Sequence, residues 1–199
     1  WAAWRAGGAP PAGHAAAPSG GRLVAWREGR EHYIAVVEHG GRRYLRFDEG
    51  AAHQSVVDRG AAFTGALWDD LALAPLLAPG AAPPVVRRAL VVGLAGGSAA
   101  RALAAAWPGV AIDGVEIDPD VVAMARAHLW LDAVPGLRVH VADGRAFLHR
   151  CPPPGYDLVV LDAYRGPTPP FHLASREAFA AARACLAPGG VVAARTLAS

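Results

Sequence analysis

Short apolar runs alternate with helix-like runs over the second half of the chain. Five of the apolar runs have the length of buried strands, and a run with helical spacing of its apolar residues follows each of the first four. Strands that alternate with helices in this way predict an α/β fold with a doubly wound parallel sheet. The strands are predicted at RALVVGL, AIDGVEI, LRVHVA, YDLVVLDA and GGVVAARTL.

The helices between these strands have recognisable ends. Asp118 stands before Pro119, so it is placed to cap a helix whose first turn holds the proline. Pro188 and Gly189 are expected to stop the last helix, because neither residue favours helical backbone. The helices are predicted at SAARALAAAW, PDVVAMARAHLW, GRAFLHR and SREAFAAARACL.

The first part of the chain has a different pattern. Its opening stretch is rich in alanine, glycine and proline without periodicity, which predicts a flexible arm. HYIAVVE and RRYLRF then predict a β-hairpin around Gly40 and Gly41, and a further short strand is expected at His53–Val57. The predicted division is an arm at 1–20, a small N-terminal β domain at 21–60, a helix and the linker PGAAPP at 61–86, and a Rossmann-like domain at 87–199.

Composition narrows the class of protein. Apolar residues make up 53% of the chain and charged residues 18%, and the net charge of +2 gives no electrostatic case for nucleic acid. The longest apolar runs fall well short of the roughly 18 residues of a membrane span. Cys151 and Cys185 have neither CxxC spacing nor a nearby histidine at metal-ligand spacing, so we expect no disulfide framework, no metal and a cytoplasmic location.

A glycine-rich turn closes the first strand of the Rossmann-like domain. Gly93, Gly96 and Gly97 lie directly before a helix, where glycine lets the backbone turn tightly and approach a ligand. Their spacing is not the GxGxxG of dinucleotide sites, so it favours a nucleoside without a pyrophosphate. A plain tight turn is the alternative interpretation.

An acidic residue ends the second strand. Glu116 follows the glycine turn by about twenty residues, the place where doubly wound folds hold ribose hydroxyls. The alternative is a surface glutamate, but the apolar neighbours Val115 and Ile117 argue against free exposure. We therefore assign Glu116 and Ile117 to the ligand site.

Two aspartates end the next two strands. Asp143 and Gly144 are placed to bind adenine through a carboxylate and a backbone N–H, and Asp143 is also placed to cap the following helix. Asp162 is the best candidate for chemistry, with a structural strand-end aspartate as the alternative. Carboxyl ends of parallel strands meet at one edge, so these acids would converge and attract a sulfonium ligand.

The ordered motifs VVGLAGGSAARAL, GVEIDPDVVAMAR, HVADGRAFL, YDLVVLDA and LAPGGVV resemble those of spermidine synthases, in particular the divergent spermidine synthase-like subgroup. The resemblance implies a class I methyltransferase-type Rossmann fold that binds decarboxylated S-adenosylmethionine or S-adenosylmethionine. It implies that Glu116 holds ribose, Asp143 and Gly144 hold adenine, and Gln54 contacts the nucleoside from the β domain. Asp162 would be the aspartate that takes a proton from the attacking amine.

The chain departs from the family pattern in three places. Gly96 stands where the family has an aspartate, Arg165 stands where it has a second aspartate, and residues 62–65 replace a Tyr-His-Glu-like segment. Fewer carboxylates and an added arginine work against a cationic polyamine as the small-molecule acceptor. Tyr164, Arg165 and His172 are candidates for the acceptor pocket, although packing or solvent exposure explains each of them equally well.

Three functions follow from this sequence. The first is aminopropyl transfer to an amine, the second is methyl transfer from S-adenosylmethionine, and the third is a non-catalytic nucleoside-binding or assembly domain. Proteins of the family that the chain resembles continue past the fifth strand, so the fold is shortened here, a partner covers the sheet edge, or the sequence is truncated. Because an uncovered edge strand favours pairing, we also predict a homodimer.

Overall fold

The computed structural model describes residues 21–29, 33–47, 53–78, 85–151, 154–164 and 168–195. In this part of the chain a four-stranded antiparallel sheet precedes a five-stranded parallel one. The predicted arm at 1–20, the predicted linker PGAAPP and Arg165 lie outside the described residues.

The N-terminal sheet is an antiparallel meander of four strands. Gly40 and Gly41 join its second and third strands with φ values of 59° and 78°, the left-handed backbone that tight hairpin turns require. The predicted hairpin and the strand after it are confirmed, whereas the first strand was not predicted. In order, the strands are β1 (Arg22–Glu28), β2 (Tyr33–His39), β3 (Arg42–Phe47) and β4 (His53–Asp58).

The second sheet is parallel throughout, which confirms the doubly wound α/β prediction. Its strands are β5 (Arg88–Val92), β6 (Ala111–Glu116), β7 (Leu137–Val141), β8 (Tyr156–Leu161) and β9 (Leu186–Ala194). Their spatial order is β7-β6-β5-β8-β9, so the direction of winding reverses between β5 and β8. In open α/β sheets, ligands bind outside the carboxyl ends of the strands at such a reversal.

Helices connect and cover the parallel strands. Asp118 caps the third helix as predicted, since its Oδ1 accepts a 2.8 Å hydrogen bond from the backbone N–H of Asp120. Residues 61–66 are not helical, so the helix predicted within 61–86 begins later than expected, and a 3₁₀ turn at Ala74–Leu77 follows it. The helices are α1 (Leu67–Leu73), α2 (Ser98–Ala106), α3 (Pro119–Leu129), α4 (Gly144–Leu148) and α5 (Arg176–Ala184).

Two hydrophobic clusters lie on opposite faces of the parallel sheet. Successive residues of β5 point to opposite faces: Val91 packs in the cluster of α1, α2 and α3, and Val92 packs in the cluster of α4 and α5. Ile34 and Leu45 of the N-terminal sheet belong to the first cluster, and both are fully buried. Each such side chain contributes about 1.5–3 kcal/mol by leaving water, so the two sheets stabilise one another.

The last strand begins earlier than predicted. β9 starts at Leu186, so Pro188 and Gly189 lie inside the strand instead of stopping a helix. Tyr156 pairs with Leu186 but Leu158 pairs with Val191, so the ladder contains a bulge at this point. In the described sheet β9 is an edge strand, where a proline without an N–H is tolerated.

The two cysteines are joined, contrary to expectation. Cys151 and Cys185 form a disulfide with their Cα atoms 5.5 Å apart, although 34 positions separate them in sequence. Disulfides are rare in the reducing cytoplasm, so this bond stands against the predicted cytoplasmic location, which stays a prediction. None of the described helices has the length and apolar character that crossing a bilayer requires.

Candidate active site

A cavity of about 300 Å³ lies at the carboxyl edge of the parallel sheet, beneath β4 of the N-terminal sheet. The cavity therefore lies where the winding of the sheet reverses, between β5 and β8. The predicted site residues that line it are Gln54, Gly93, Glu116, Ile117, Asp143, Gly144, Asp162, Tyr164 and His172. The predicted residues Gly96 and Gly97 do not line it.

Gly93 is required by the way two strand ends meet. Its φ is +92°, and a Cβ atom there would lie 2.5 Å from the carbonyl oxygen of Asp162 and from the amide nitrogen of Ala163. No side chain fits between these backbones. The close approach brings Asp162 next to the glycine turn.

Gly96 and Gly97 shape the turn, and the geometry does not support their predicted contact with the ligand. The N–H of Gly96 donates a 2.8 Å hydrogen bond to Ser55 Oγ, and a Cβ at Gly96 would lie 2.7 Å from Leu129 Cδ1. Gly97 has a φ of +84°, and a Cβ there would lie 2.5 Å from Leu131 Cδ1. An aspartate at position 96 therefore has no room unless its neighbours move.

Strand β4 binds the start of α2 through two serines that the sequence analysis missed. Ser98 Oγ donates to the carbonyl of Val56 and accepts from its N–H, both at 2.8 Å. Because side chains alternate along a strand, Ser55 contacts the glycine turn while its neighbour Gln54 lines the cavity. The sequence offers only one signal for these contacts, a serine directly after the glycine turn at position 98 and another at position 55.

Glu116 is buried at 8% exposure, so the surface-glutamate interpretation is wrong. Its Oε2 accepts from the N–H of Ala95 at 2.9 Å, and its Oε1 accepts from the N–H of Asp118 at 3.1 Å. Burial raises the pKa of Glu116, and these backbone hydrogen bonds oppose that rise. Each carboxylate oxygen keeps a second lone pair, which suits ribose hydroxyls.

Ile117 is more exposed than its place after a buried strand predicted. Its side chain is 58% exposed and lines the cavity, while Val115 is 1% exposed. An exposed isoleucine beside buried acids offers an apolar wall to a flat ring. Leu173 and Pro170 line the same cavity from the segment before α5.

Asp118 and Asp143 both serve as helix caps and both line the cavity. Asp143 Oδ1 accepts from the N–H of Ala146 at 2.8 Å, so the capping interpretation of Asp143 holds. Asp118 Oδ2 is buried and accepts no hydrogen bond from the described residues. This oxygen is a ligand candidate that the sequence analysis missed, because Asp118 was assigned only to the cap.

Asp162 lies at the end of β8 with its side chain 5% exposed. Its Oδ2 accepts a 2.7 Å hydrogen bond from Trp68 Nε1, and its Oδ1 lies 3.7 Å from Arg195 Nη1, beyond hydrogen-bond reach. Oδ1 accepts no hydrogen bond within the described part of the chain. Burial raises the pKa of Asp162 to about 6, although Trp68 and Arg195 both act to lower it.

Arg195 lies beside Asp162 and Tyr164, two residues that line the cavity. Its guanidinium carbon lies 4.2 Å from the centre of the Tyr164 ring, and Tyr164 Oη donates a 3.0 Å hydrogen bond to its carbonyl. His172 lines the cavity, and its carbonyl accepts a 2.7 Å hydrogen bond from Arg145. The sequence analysis did not assign Trp68 or Arg195 to the site. The only signal for Arg195 is that a basic residue follows the last predicted strand, whose carboxyl end lies at the same sheet edge as Asp162.

The acids outnumber the cations at this edge. Glu116, Asp118, Asp143 and Asp162 all line the cavity. Among the described residues, only Arg195 brings a guanidinium within 4 Å of one of these carboxylates, that of Asp162. Opposite charges attract across a site of low dielectric, so the arrangement favours a cationic ligand at the sheet edge.

Comparisons with known proteins agree with this geometry. The sequence model of the spermine/spermidine synthase domain matches residues 77–197. The polyamine aminopropyltransferase of Vibrio vulnificus is 37% identical over 115 residues, which are 57% of this chain and 38% of that protein. The probable polyamine aminopropyl transferase of Bifidobacterium longum is 34% identical over 161 residues, which are 81% of this chain and 34% of that protein.

A solved structure shares the fold. The crystal structure of a probable spermidine synthase from Corynebacterium glutamicum ATCC 13032 has a TM-score of 0.70 at 21% identity, over 85% of this chain and 62% of that one. The chain spans about a third of the length of the two curated relatives. Since the domain model matches more than half of its residues, the chain belongs to the spermine/spermidine synthase family.

Proposed function

We propose that this chain binds an S-adenosyl sulfonium nucleoside at the carboxyl edge of its parallel sheet and transfers an aminopropyl group from it to an amine. The substrate would be decarboxylated S-adenosylmethionine, and the acceptor a small molecule. Membership of the spermine/spermidine synthase family supports this proposal. So does the set of acids that line one cavity.

The nucleoside half of the cavity fits adenosine chemistry. Glu116 has free lone pairs for the ribose hydroxyls, and Gln54 faces the same space from β4. Asp143 and Gly144 line the same cavity, and they would bind the amino group and a ring nitrogen of adenine. Ile117 would cover one face of the ring.

The chemistry would be a nucleophilic displacement at the propyl carbon beside the sulfonium. The amine nitrogen forms a C–N bond with its lone pair, the C–S bond breaks with both electrons passing to sulfur, and neutral methylthioadenosine leaves. Such a leaving group needs no acid, so the protein has to align the amine, accept its proton and exclude water.

Asp162 carries the proposal as general base. One of its oxygens is fixed by Trp68 and the other is an unfilled acceptor, so a donor from a bound amine would complete its hydrogen bonding. Its pKa of about 6 leaves it ionised at neutral pH and keeps it basic enough to take a proton. Asp162→Asn keeps the shape and removes the base, and we expect it to lower turnover by 10²–10⁴-fold.

Methyl transfer from S-adenosylmethionine is the second candidate. It is favoured by Gly96, where packing against Ser55 and Leu129 leaves no space for the carboxylate that the family places there. A substrate that keeps its own carboxylate has less need of one from the protein.

Isothermal calorimetry with three ligands distinguishes these functions. Tighter binding of decarboxylated S-adenosylmethionine supports aminopropyl transfer, and tighter binding of S-adenosylmethionine supports methyl transfer. Methylthioadenosine should bind in both cases, because it keeps the adenosine part. If none of the three binds, the proposed nucleoside site is wrong and a non-catalytic assembly role gains support.

We also propose that the chain forms a homodimer through the β9 side of the sheet. In the described residues β9 has a partner strand on one side only, and the 3₁₀ turn in contact with it exposes Leu76 and Leu77 by 56% and 85%. Unpaired strand edges favour association. Gel filtration over a range of concentrations should reveal a dimer, and a monomer at every concentration would contradict this proposal.

A further inference from the structure

The disulfide joins the carboxyl ends of two helices that begin at the nucleoside cavity. α4 starts at Gly144, which lines the cavity, and Cys151 follows its last residue by three positions. α5 starts three positions after Leu173, another residue of the cavity wall, and Cys185 directly follows its last residue. The chain of each helix therefore leads from the cavity wall to the S–S bond.

Contacts with α5 and with the segment before it hold α4 in place. Arg145 Nη1 of α4 donates a 2.7 Å hydrogen bond to the carbonyl of His172 and a 3.1 Å hydrogen bond to Ser175 Oγ. Leu148 at the end of α4 packs in the same hydrophobic cluster as Cys185. α4 has only five residues, and a helix of that length is not stable by itself in water. Its order therefore depends on these contacts and on the disulfide.

α4 sets the direction of the Asp143 carboxylate. Asp143 Oδ1 accepts a 2.8 Å hydrogen bond from the N–H of Ala146, which keeps this place only while the first turn of α4 is formed. Under the proposed function, Asp143 and Gly144 bind adenine, whereas Glu116 binds ribose from the end of β6. Loss of the disulfide would therefore disturb the adenine end of the cavity and leave the ribose end in place.

We propose that Cys151 and Cys185 are a thiol–disulfide exchange site, and that the oxidised protein binds the adenosine part of the substrate more tightly because the disulfide keeps α4 and Asp143 in position. This inference rests on the proposed function, since it concerns the same nucleoside. Reduction releases the ends of α4 and α5 from each other and lets the short helix open. The redox state of the cysteine pair then regulates the affinity of the cavity.

A reductant with two thiols reaches this bond at Cys151. Cys151 is partly exposed and Cys185 is 2% exposed, so a thiolate of the reductant attacks the sulfur of Cys151. A mixed disulfide forms there, and the electron pair of the S–S bond passes to Cys185, which takes a proton. The second thiolate of the reductant then attacks the reductant's own sulfur in the mixed disulfide, and Cys151 leaves as a thiolate that also takes a proton. The products are two cysteine thiols and the disulfide form of the reductant.

Calorimetry on the oxidised protein and on the protein reduced with dithiothreitol tests the inference. Reduction should weaken methylthioadenosine binding by about tenfold, a usual size for coupling between two sites. The analogue with hydrogen in place of the adenine amino group cannot donate to Asp143, so its affinity should change by less than about twofold. Cys151→Ser should bind methylthioadenosine like the reduced wild type, with or without dithiothreitol. Equal affinities of the two redox states for methylthioadenosine overturn the inference, and so does an equal loss for both ligands, which a reduced protein that unfolds would also give.

Binding and redox state must affect each other by the same factor, because the two equilibria are linked. The chain has two cysteines, so thiols trapped with iodoacetamide report on this pair alone. In mixtures of reduced and oxidised dithiothreitol, saturating methylthioadenosine should favour the disulfide by about tenfold over the ligand-free protein. An equilibrium that the nucleoside does not shift overturns the inference but leaves the proposed function standing. If the oxidised wild type does not bind methylthioadenosine at all, the proposed function fails, and the inference fails with it.

Discussion

Trp68 Nε1 donates a 2.7 Å hydrogen bond to Asp162 Oδ2 across 94 positions of sequence. The bond ties α1, which comes before the parallel sheet, to the carboxyl end of β8. Trp68 is 4% exposed and belongs to the core cluster of α1, α2 and α3, so the donor is held by packing. The proposed base is therefore oriented from outside the segment that carries it.

Trp68→Phe removes this donor and keeps the aromatic bulk. The hydrogen bond from Trp68 lowers the pKa of Asp162, so its loss should raise that pKa above the present value of about 6. A hydrogen bond to a charged group contributes about 1.5–3 kcal/mol, which corresponds to about one to two pH units in the acidic limb of a pH–rate profile. Trp107→Phe is the control, because Trp107 donates to the carbonyl of Ala72 instead. An acidic limb that does not move in Trp68→Phe would contradict this role.

The buried carboxyl of Asp162 should also make stability depend on pH. Its pKa is raised from 3.8 to about 6, so the folded state favours the protonated form. That contribution is complete below pH 3.8 and is lost as the pH rises through 6. Relative to Asp162→Asn, the wild type should therefore lose up to about 3 kcal/mol of unfolding free energy between pH 4 and 7. Urea unfolding of both proteins across this pH range measures the difference between their free energies of unfolding. If that difference does not change with pH, Asp162 does not titrate with a raised pKa in the folded protein.

Glu116→Gln should weaken methylthioadenosine binding by about 10–100-fold. The amide keeps one acceptor for the backbone N–H groups of Ala95 and Asp118 but loses the charge and the second acceptor, and hydrogen bonds to charged groups account for a loss of this size. Calorimetry gives the dissociation constant. Glu177→Gln in the first turn of α5 is the matched control, because Glu177 is exposed and does not line the cavity. Equal affinity in wild type and Glu116→Gln would exclude Glu116 from the site.

The disulfide should be important for stability. Closing a loop of 34 positions between Cys151 and Cys185 restricts the unfolded chain, so dithiothreitol should lower the unfolding free energy by about 2–4 kcal/mol. Thermal melts with and without the reductant measure the change. Cys151→Ser should melt at the reduced midpoint in both conditions. If dithiothreitol leaves the melting temperature of the wild type unchanged, the disulfide does not form in solution.

Local patterns were enough to predict the strand-end acids. Glu116, Asp143 and Asp162 each follow an apolar run, and the rule that parallel strands present their carboxyl ends at one edge brings them together. Helix boundaries near Asp118 followed equally from capping chemistry. These features depend on residues within a few positions of one another.

Features that depend on distant pairing were not predictable in the same way. Trp68 reaches Asp162 from another element, and Arg195 reaches it from the neighbouring strand. The pairing of Cys151 with Cys185 is set by how the ends of α4 and α5 come together, which no local spacing records. Pro188 was read as a stop signal, because a bulged edge strand that tolerates proline cannot be recognised from its sequence alone.

The contact between Ser55 and Gly96 has a consequence for how the protein is assembled. The recognised family domain begins at residue 77, yet the turn beneath the cavity is fastened by a strand that lies upstream of it. The N-terminal meander and the parallel sheet should accordingly melt in one cooperative transition. A shortened chain that begins at residue 77 should lack the Ser55 hydroxyl that accepts a hydrogen bond from Gly96. What looks along the chain like an appendage therefore supplies one side of the cavity, through Phe47 and Gln54.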